Sequence, residues 1–158
     1  MRKWLFACLV FVVACSSIDC PVENTVTTVY TFQKPDLTAD TLKDTMYVFS
    51  YRADRSDTLL YNSAIGATMF QLPIGYSNPE DTLYFLFVNG DYMALDTVFI
   101  KKENYPHFES VDCSAAFFHE LTGVRHTSHA FDSIVINKKA VDYDATTEHF
   151  HLYLKAHD

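Results

Sequence analysis

Thr82-Leu83-Tyr84-Phe85-Leu86-Phe87-Val88 is followed at once by Asn89-Gly90 and then by a second apolar-rich run, Asp91 to Lys101. An Asn-Gly pair between two such runs is the strongest short-range signal for a β-hairpin. A type I′ turn needs positive φ at both central positions, and these two residues tolerate it. The pattern therefore commits the middle of the chain to antiparallel sheet. The first run is apolar on both of its faces, which reads as a central strand. Ten tyrosines, thirteen phenylalanines and many β-branched residues suit a pleated, half-buried surface.

Further strands are expected at Thr25 to Gln33, Thr45 to Tyr51, Thr58 to Tyr61, Ala67 to Leu72, Phe131 to Asn137 and His149 to Ala156. In the second of these Tyr47, Phe49 and Tyr51 share a face. In the last, Phe150, Leu152 and Leu154 alternate with His149, His151, Tyr153 and Lys155. Ser114 to Thr122 is ambiguous: Ser114 could cap a short helix ended by Gly123, but the neighbouring strands favour a strand. Asp-Thr or Asp-Ser recurs at Asp44, Asp57, Asp81, Asp96 and Asp132. The spacings match no calcium loop, and turn closure by Asp before a strand is the plainer reading. Short strands separated by turn signals predict an all-β, antiparallel β-sandwich.

Arg2 and Lys3 precede an apolar run from Trp4 to Ala14, which ends in Val12-Val13-Ala14-Cys15. This is the pattern of a secretory leader closing in a lipobox, a small residue directly before cysteine. The run is too short to cross a bilayer as a helix. A diacylated Cys15 would instead hold the protein on the membrane. The expected organisation is a lipoprotein signal peptide over 1–14, a lipid tether over 15–19 and one β-sandwich domain over 20–158.

The leader holds two of the twelve basic residues and none of the twenty acidic ones, so the remainder carries a net charge of −10 with histidines neutral. Nucleic acid is not an expected partner, because its phosphates are bound by clustered Lys and Arg. Cys8 leaves with the leader and Cys15 takes lipid. Cys20 and Cys113 then remain in a compartment that permits disulfides. By parity they are candidates for one bridge, with two free thiols as the alternative.

His149 and His151 lie two apart on an expected strand and so share a face. With His126 or His129 they would supply zinc ligands. The plainer reading places them on the solvent face of an amphipathic strand, with no metal and no cofactor. His119-Glu120 fails as a zinc-protease motif, because Gly123 stands where the second histidine belongs. No P-loop, Gly-x-Ser-x-Gly or Cys-x-x-Cys is present. Ser, His and Asp are plentiful, and a triad is recognised by geometry alone. Glu80 and Asp81 could form a glycosidase pair, but a turn around Pro79 is the simpler reading. The aromatics could form a sugar- or peptide-binding platform, although in a sandwich most belong to the core.

Ser16-Ser17-Ile18-Asp19-Cys20-Pro21 after the lipobox, the Thr/Val-rich first strand, Val111-Asp112-Cys113 and Asp132-Ser133-Ile134-Val135-Ile136 together resemble a family of small lipoproteins of gut-type Bacteroidota. The resemblance implies lipidation at Cys15 and pairing of Cys20 with Cys113. It implies no catalytic or binding residue, because the family's function is unknown. The expected role is a non-catalytic binding or accessory module, acting with a membrane-embedded partner at the outer membrane. Ser16 beside the lipidated cysteine fits release from the inner membrane, and the single acidic Asp19 in the tether fits the periplasmic face. The alternatives are a metal- or small-ligand-binding protein using the histidine face, and a small envelope hydrolase.

Overall fold

The computed structural model describes residues 26–51, 57–63 and 65–156. The leader, Cys15, the tether, Cys20 and His157 lie outside the described residues. Ten strands follow one another: β1 (Thr27–Phe32), β2 (Thr45–Tyr51), β3 (Asp57–Ser63), β4 (Met69–Pro73), β5 (Glu80–Asn89), β6 (Tyr92–His107), β7 (Ala116–His126), β8 (Phe131–Ile136), β9 (Ala140–Val141) and β10 (Phe150–Leu154). No helix occurs among the described residues. One sheet has the order β4-β1-β10-β8 and the other β3-β2-β5-β6-β7-β9. Every pairing is antiparallel except that of β1 with β10. The two sheets enclose one core, so the expected all-β sandwich is what the chain forms.

The central hairpin forms, with its turn one residue later than expected. Asn89 is paired with Tyr92, so the central residues are Gly90 and Asp91. Gly90 has φ +57 and Asp91 is not in the positive-φ region. Glycine at the first central position alone is the requirement of a type II′ turn. Of Ser114 to Thr122, Ala116 to Thr122 are strand and Ser114 and Ala115 precede it: β7 continues through Gly123, which lies opposite Lys101 in β6 beside a register shift.

The core is aromatic. Tyr30 of β1 is stacked between Phe70 of β4 and Phe150 of β10, with ring centroids 4.9 and 4.8 Å away. Phe85 and Phe87 point inward from β5 and meet Phe131 of β8 edge-on at 5.2 and 5.4 Å. Burying such rings removes 150–250 Å² each from water, by the usual range for aromatic side chains, and dominates the packing.

Asp96 lies in the middle of β6 and is fully buried. Its Oδ1 accepts hydrogen bonds from Thr127 Oγ1 (2.6 Å) and the His129 N–H (2.8 Å). Its Oδ2 accepts from the N–H groups of Ala130 (2.7 Å) and Phe131 (2.9 Å). One carboxylate thus satisfies most of the backbone of the β7–β8 connection and delivers Phe131 to the core. The Asp-Thr phrase here is not a turn signal, as the sequence suggests, but a carboxylate inside a strand.

Alternation along β5 has a second consequence. Leu83, Phe85 and Phe87 are buried in the core, while Tyr84, Leu86 and Val88 face the other way and are only half-buried. On neighbouring strands Phe49 and Tyr47 face outward with them, and so do the more exposed Met93 and Leu95. The doubly apolar run does mark a central strand. Its second face is nonetheless not covered by another layer among the described residues.

Candidate functional site

A polar group enters the interior where β5 begins and the β6–β7 register shifts. Counting inward positions along β6 gives Ala94, Asp96, Val98, Ile100 and then Lys102, which falls on the core side. The register with β7 shifts between Lys101 and Lys102. Lys102 is buried, with its side chain wholly out of water, and its Nζ stands 2.7 Å from Asp81 Oδ1. The contact is a charge pair whose donor geometry is not aligned, and no other acceptor meets Nζ among the described residues. Asp81 Oδ2 accepts a hydrogen bond from the Gly75 N–H at 3.0 Å. A Cβ at Gly75 would stand 3.0 Å from Asp81 Oδ1, so any side chain there would crowd the carboxylate.

His119 of β7 faces Asn104 of β6. The Asn104 amide is oriented by its own bonds, because Nδ2 donates to the carbonyls of Tyr76 (2.9 Å) and Asn78 (3.2 Å). Its Oδ1 is therefore the atom 2.7 Å from His119 Nδ1, and Nδ1–H is the donor. The acceptor lone pair is left on Nε2. Burial, with the Lys102 charge adding to it and Asp81 opposing, lowers the His119 pKa to about 4. The ring is neutral at physiological pH.

Two cavities flank the β4–β5 connection. The smaller, about 390 Å³, is bounded by Val26, Ile74, Tyr76, Ala115, Phe117 and His119. Tyr76 and Phe117 are stacked there, with centroids 4.5 Å apart. Ser77 also borders it, but no hydrogen bond joins Ser77 to His119 among the described residues, so the two do not form a nucleophile–base pair. The larger cavity, about 610 Å³, is bounded by Tyr51, Tyr84, Phe99, Asn78, Glu80 and Asp81. Glu80 is held by Arg125 at 2.7 Å, and the Arg125 guanidinium lies 3.5 Å above the Phe99 ring. Glu80 and Asp81 are thus the first residues of β5, each locked to a cation, and not the turn the sequence suggests.

The sequence-nominated metal ligands do not assemble. His129 is exposed, 3.1 Å from Asp96, and His126 hydrogen-bonds the Thr127 carbonyl at 2.6 Å. His151 pairs with Glu148 at 2.8 Å. His149 departs from the expected solvent face: it is fully buried, and its Nδ1 accepts the Val29 N–H at 3.1 Å. The parity of the strand holds, but His149 sits just before β10, where it is enclosed and stitched to β1. No group of three or more His, Cys, Asp or Glu that could hold a metal occurs among the described residues. Cys113 lies in a short turn, its N–H donating to the Ser110 carbonyl at 3.2 Å. Its nominated partner Cys20 is outside the described residues. Around it the loop is unusually apolar at the surface: Phe108 is 64 % exposed and Val111 98 %.

The motif-based reading missed Lys102, Asn104 and the buried state of His119. Counting in twos from the hairpin turn would have placed Lys102 inside. No sequence signal places Asn104 beside His119, because that contact depends on the β6–β7 register. Residues 47–154, more than half of the chain, match the family of unknown function DUF6452. No curated protein and no solved structure matches the chain.

Proposed function

The chain belongs to the family of unknown function DUF6452, and since that membership brings no activity with it, we propose from the residues themselves that the protein is a lipid-anchored, non-catalytic accessory module working beside a membrane-embedded partner at the outer membrane. The anchor is Cys15 in the Val12-Val13-Ala14-Cys15 lipobox. The observation that carries the partner is the exposed apolar loop at Cys113. In this reading Cys113 is bridged to Cys20, five residues from the lipid. An extended chain spans at most ~3.6 Å per residue, so the tether reaches roughly 18 Å. Phe108 and Val111, exposed to water in the isolated molecule, are then held at the membrane surface. Tethering raises the effective concentration of such a module for a partner in the same membrane. Glu80 and Asp81, the carboxylates that border the larger cavity, are each paired with a cation, and this supports a non-catalytic role.

The test is photocrosslinking in intact cells from three positions. The crosslinker at Phe108 or Val111 should capture an integral outer-membrane protein. At Met93, roughly 50 Å away along β6 by the rise of a strand, it should not. Capture from Met93 alone, or capture only of soluble periplasmic proteins, would refute the reading. Cys15→Ala should release the protein from the membrane fraction and abolish the crosslink.

A further inference from the structure

We propose that the larger cavity, at the Tyr51–Tyr84–Phe99 end of the outward face, is a binding site for a neutral saccharide. Its volume, about 610 Å³, lies in the usual range for small-molecule sites. Its chemistry is divided in two. One wall is aromatic: Tyr51 and Tyr84 meet edge-to-face at 4.9 Å, and Phe49 stacks on Tyr84 at 5.5 Å behind them. Phe99 continues this wall on β6, its own upper face covered by Arg125. The other wall carries Asn78, Glu80 and Asp81.

The charges of that second wall are already matched. Asp81 has Lys102 at 2.7 Å and Glu80 has Arg125 at 2.7 Å. Among the described residues of that wall an ionic ligand would find no uncompensated partner and would lose its hydration. A purely apolar ligand would strip water from the carboxylates and the amide and return no hydrogen bond. Yet a carboxylate has about four acceptor sites, more than Arg125 uses on Glu80 or than Lys102 and the Gly75 N–H use on Asp81. The wall therefore asks for an uncharged ligand rich in O–H donors. The aromatic wall asks for a flat apolar surface on the same molecule. A pyranose presents both: axial C–H groups on one face and equatorial hydroxyls around the rim. The ring quadrupole, negative over the face, attracts such C–H groups. The site lies on rigid strands, with Glu80, Asp81 and Tyr84 on β5 and Phe99 on β6, so little ordering is needed on binding.

The full-length protein, solubilised in a detergent without a sugar headgroup, is titrated calorimetrically. The probes are neutral hexasaccharides of glucose, xylose, mannose and N-acetylglucosamine, with adenine as a flat non-saccharide probe. At least one hexasaccharide should bind, and Tyr51→Ala and Tyr84→Ala should each weaken it by roughly tenfold or more, the equivalent of losing ~1.4 kcal/mol of contact. Tyr51 is 52 % exposed, so its truncation spares the fold. Tyr51→Phe, which keeps the ring, should hold affinity within about threefold. Leu95→Ala, on the same sheet face but outside the cavity lining, should leave it unchanged. Binding of no hexasaccharide overturns the proposal, and so does saccharide binding indifferent to both tyrosine truncations or binding of adenine alone.

Discussion

Replacing Asp96 by asparagine changes almost nothing in shape and should still be one of the most damaging single substitutions in this domain. The carboxylate is fully buried and meets only donors: the Thr127 hydroxyl, the His129 N–H and the His129 ring Nδ1 on Oδ1, two N–H groups on Oδ2. An amide puts an NH₂ where one oxygen was, so two of those donors would then face a donor. Each hydrogen bond to a buried charge contributes about 1.5–3 kcal/mol, so losing two removes about 3–6 kcal/mol before relaxation. The damage reaches the core, because the same carboxylate seats Phe131 against Phe85 and Phe87. Urea unfolding should show the midpoint falling with the slope unchanged. Asp91→Asn in the exposed hairpin turn is the control, with an expected effect under ~0.5 kcal/mol. The pH dependence gives an independent check. Burial pushes the Asp96 carboxyl up, but the hydrogen bonds from Thr127, His129, Phe131 and Ala130 outweigh it, and the pKa lies below the ordinary carboxylate value. A lowered folded-state pKa means that the stabilisation is complete above the unfolded value, near 4, and is lost as pH falls through the folded one. Wild-type stability should therefore fall more steeply than that of Asp96→Asn on acidification below about pH 4. A loss of less than ~1 kcal/mol at neutral pH, or identical acid profiles, would refute the clamp.

A non-reducing peptide map of the exported protein should contain a Cys20–Cys113 fragment. Breaking that bridge should cost up to about 4.7 kcal/mol, the chain-entropy value for a loop of roughly a hundred residues, and two free thiols would end the idea. The His119 ring, followed by NMR, should titrate with a midpoint of about 4. The unfolded chain takes up that proton near pH 6.5 and the folded one does not, so this residue withdraws stability as pH falls from about 6.5 towards 4. A His119 midpoint near 6.5 would show the ring is not enclosed. Zinc should bind no better than about micromolar, since a structural site needs four ligands converging on one point. Stoichiometric zinc retained through dialysis against a chelator, and lost in His149→Ala or His151→Ala, would reverse that expectation.

Strand existence was legible wherever the alternation was strong. Thr45–Tyr51 has the expected bounds, and the central hairpin is where Asn89-Gly90 puts it, one residue out of step because register is fixed by pairing along the strands as well as by the turn. The two-residue β9 carries too little pattern to announce itself. Pattern also could not separate Asp96 from the other Asp-Thr phrases, since Asp44 and Asp57 precede or open strands while Asp96 lies within one. Only its inward parity in β6 distinguishes it. The candidate site was least legible. Asp81 and Lys102 are far apart in sequence and meet because β5 and β6 pair, so their contact belongs to the sheet and not to any local motif.

The pairing of β1 with β10 sets an order of events on the growing chain. Tyr30 aligns with Phe150, and β1 is the strand joining β4 to β10 in its sheet. Until the last strand has been synthesised, β1 has one edge without its native partner and Phe150 cannot close the stack on Tyr30. Contacts this distant in sequence form slowly, because the loop between them must close first. A nascent chain of this topology therefore stays incomplete until β10 has emerged and paired with β1. In the lipoprotein reading proposed above, that delay would keep the polypeptide threadable through a narrow translocation channel.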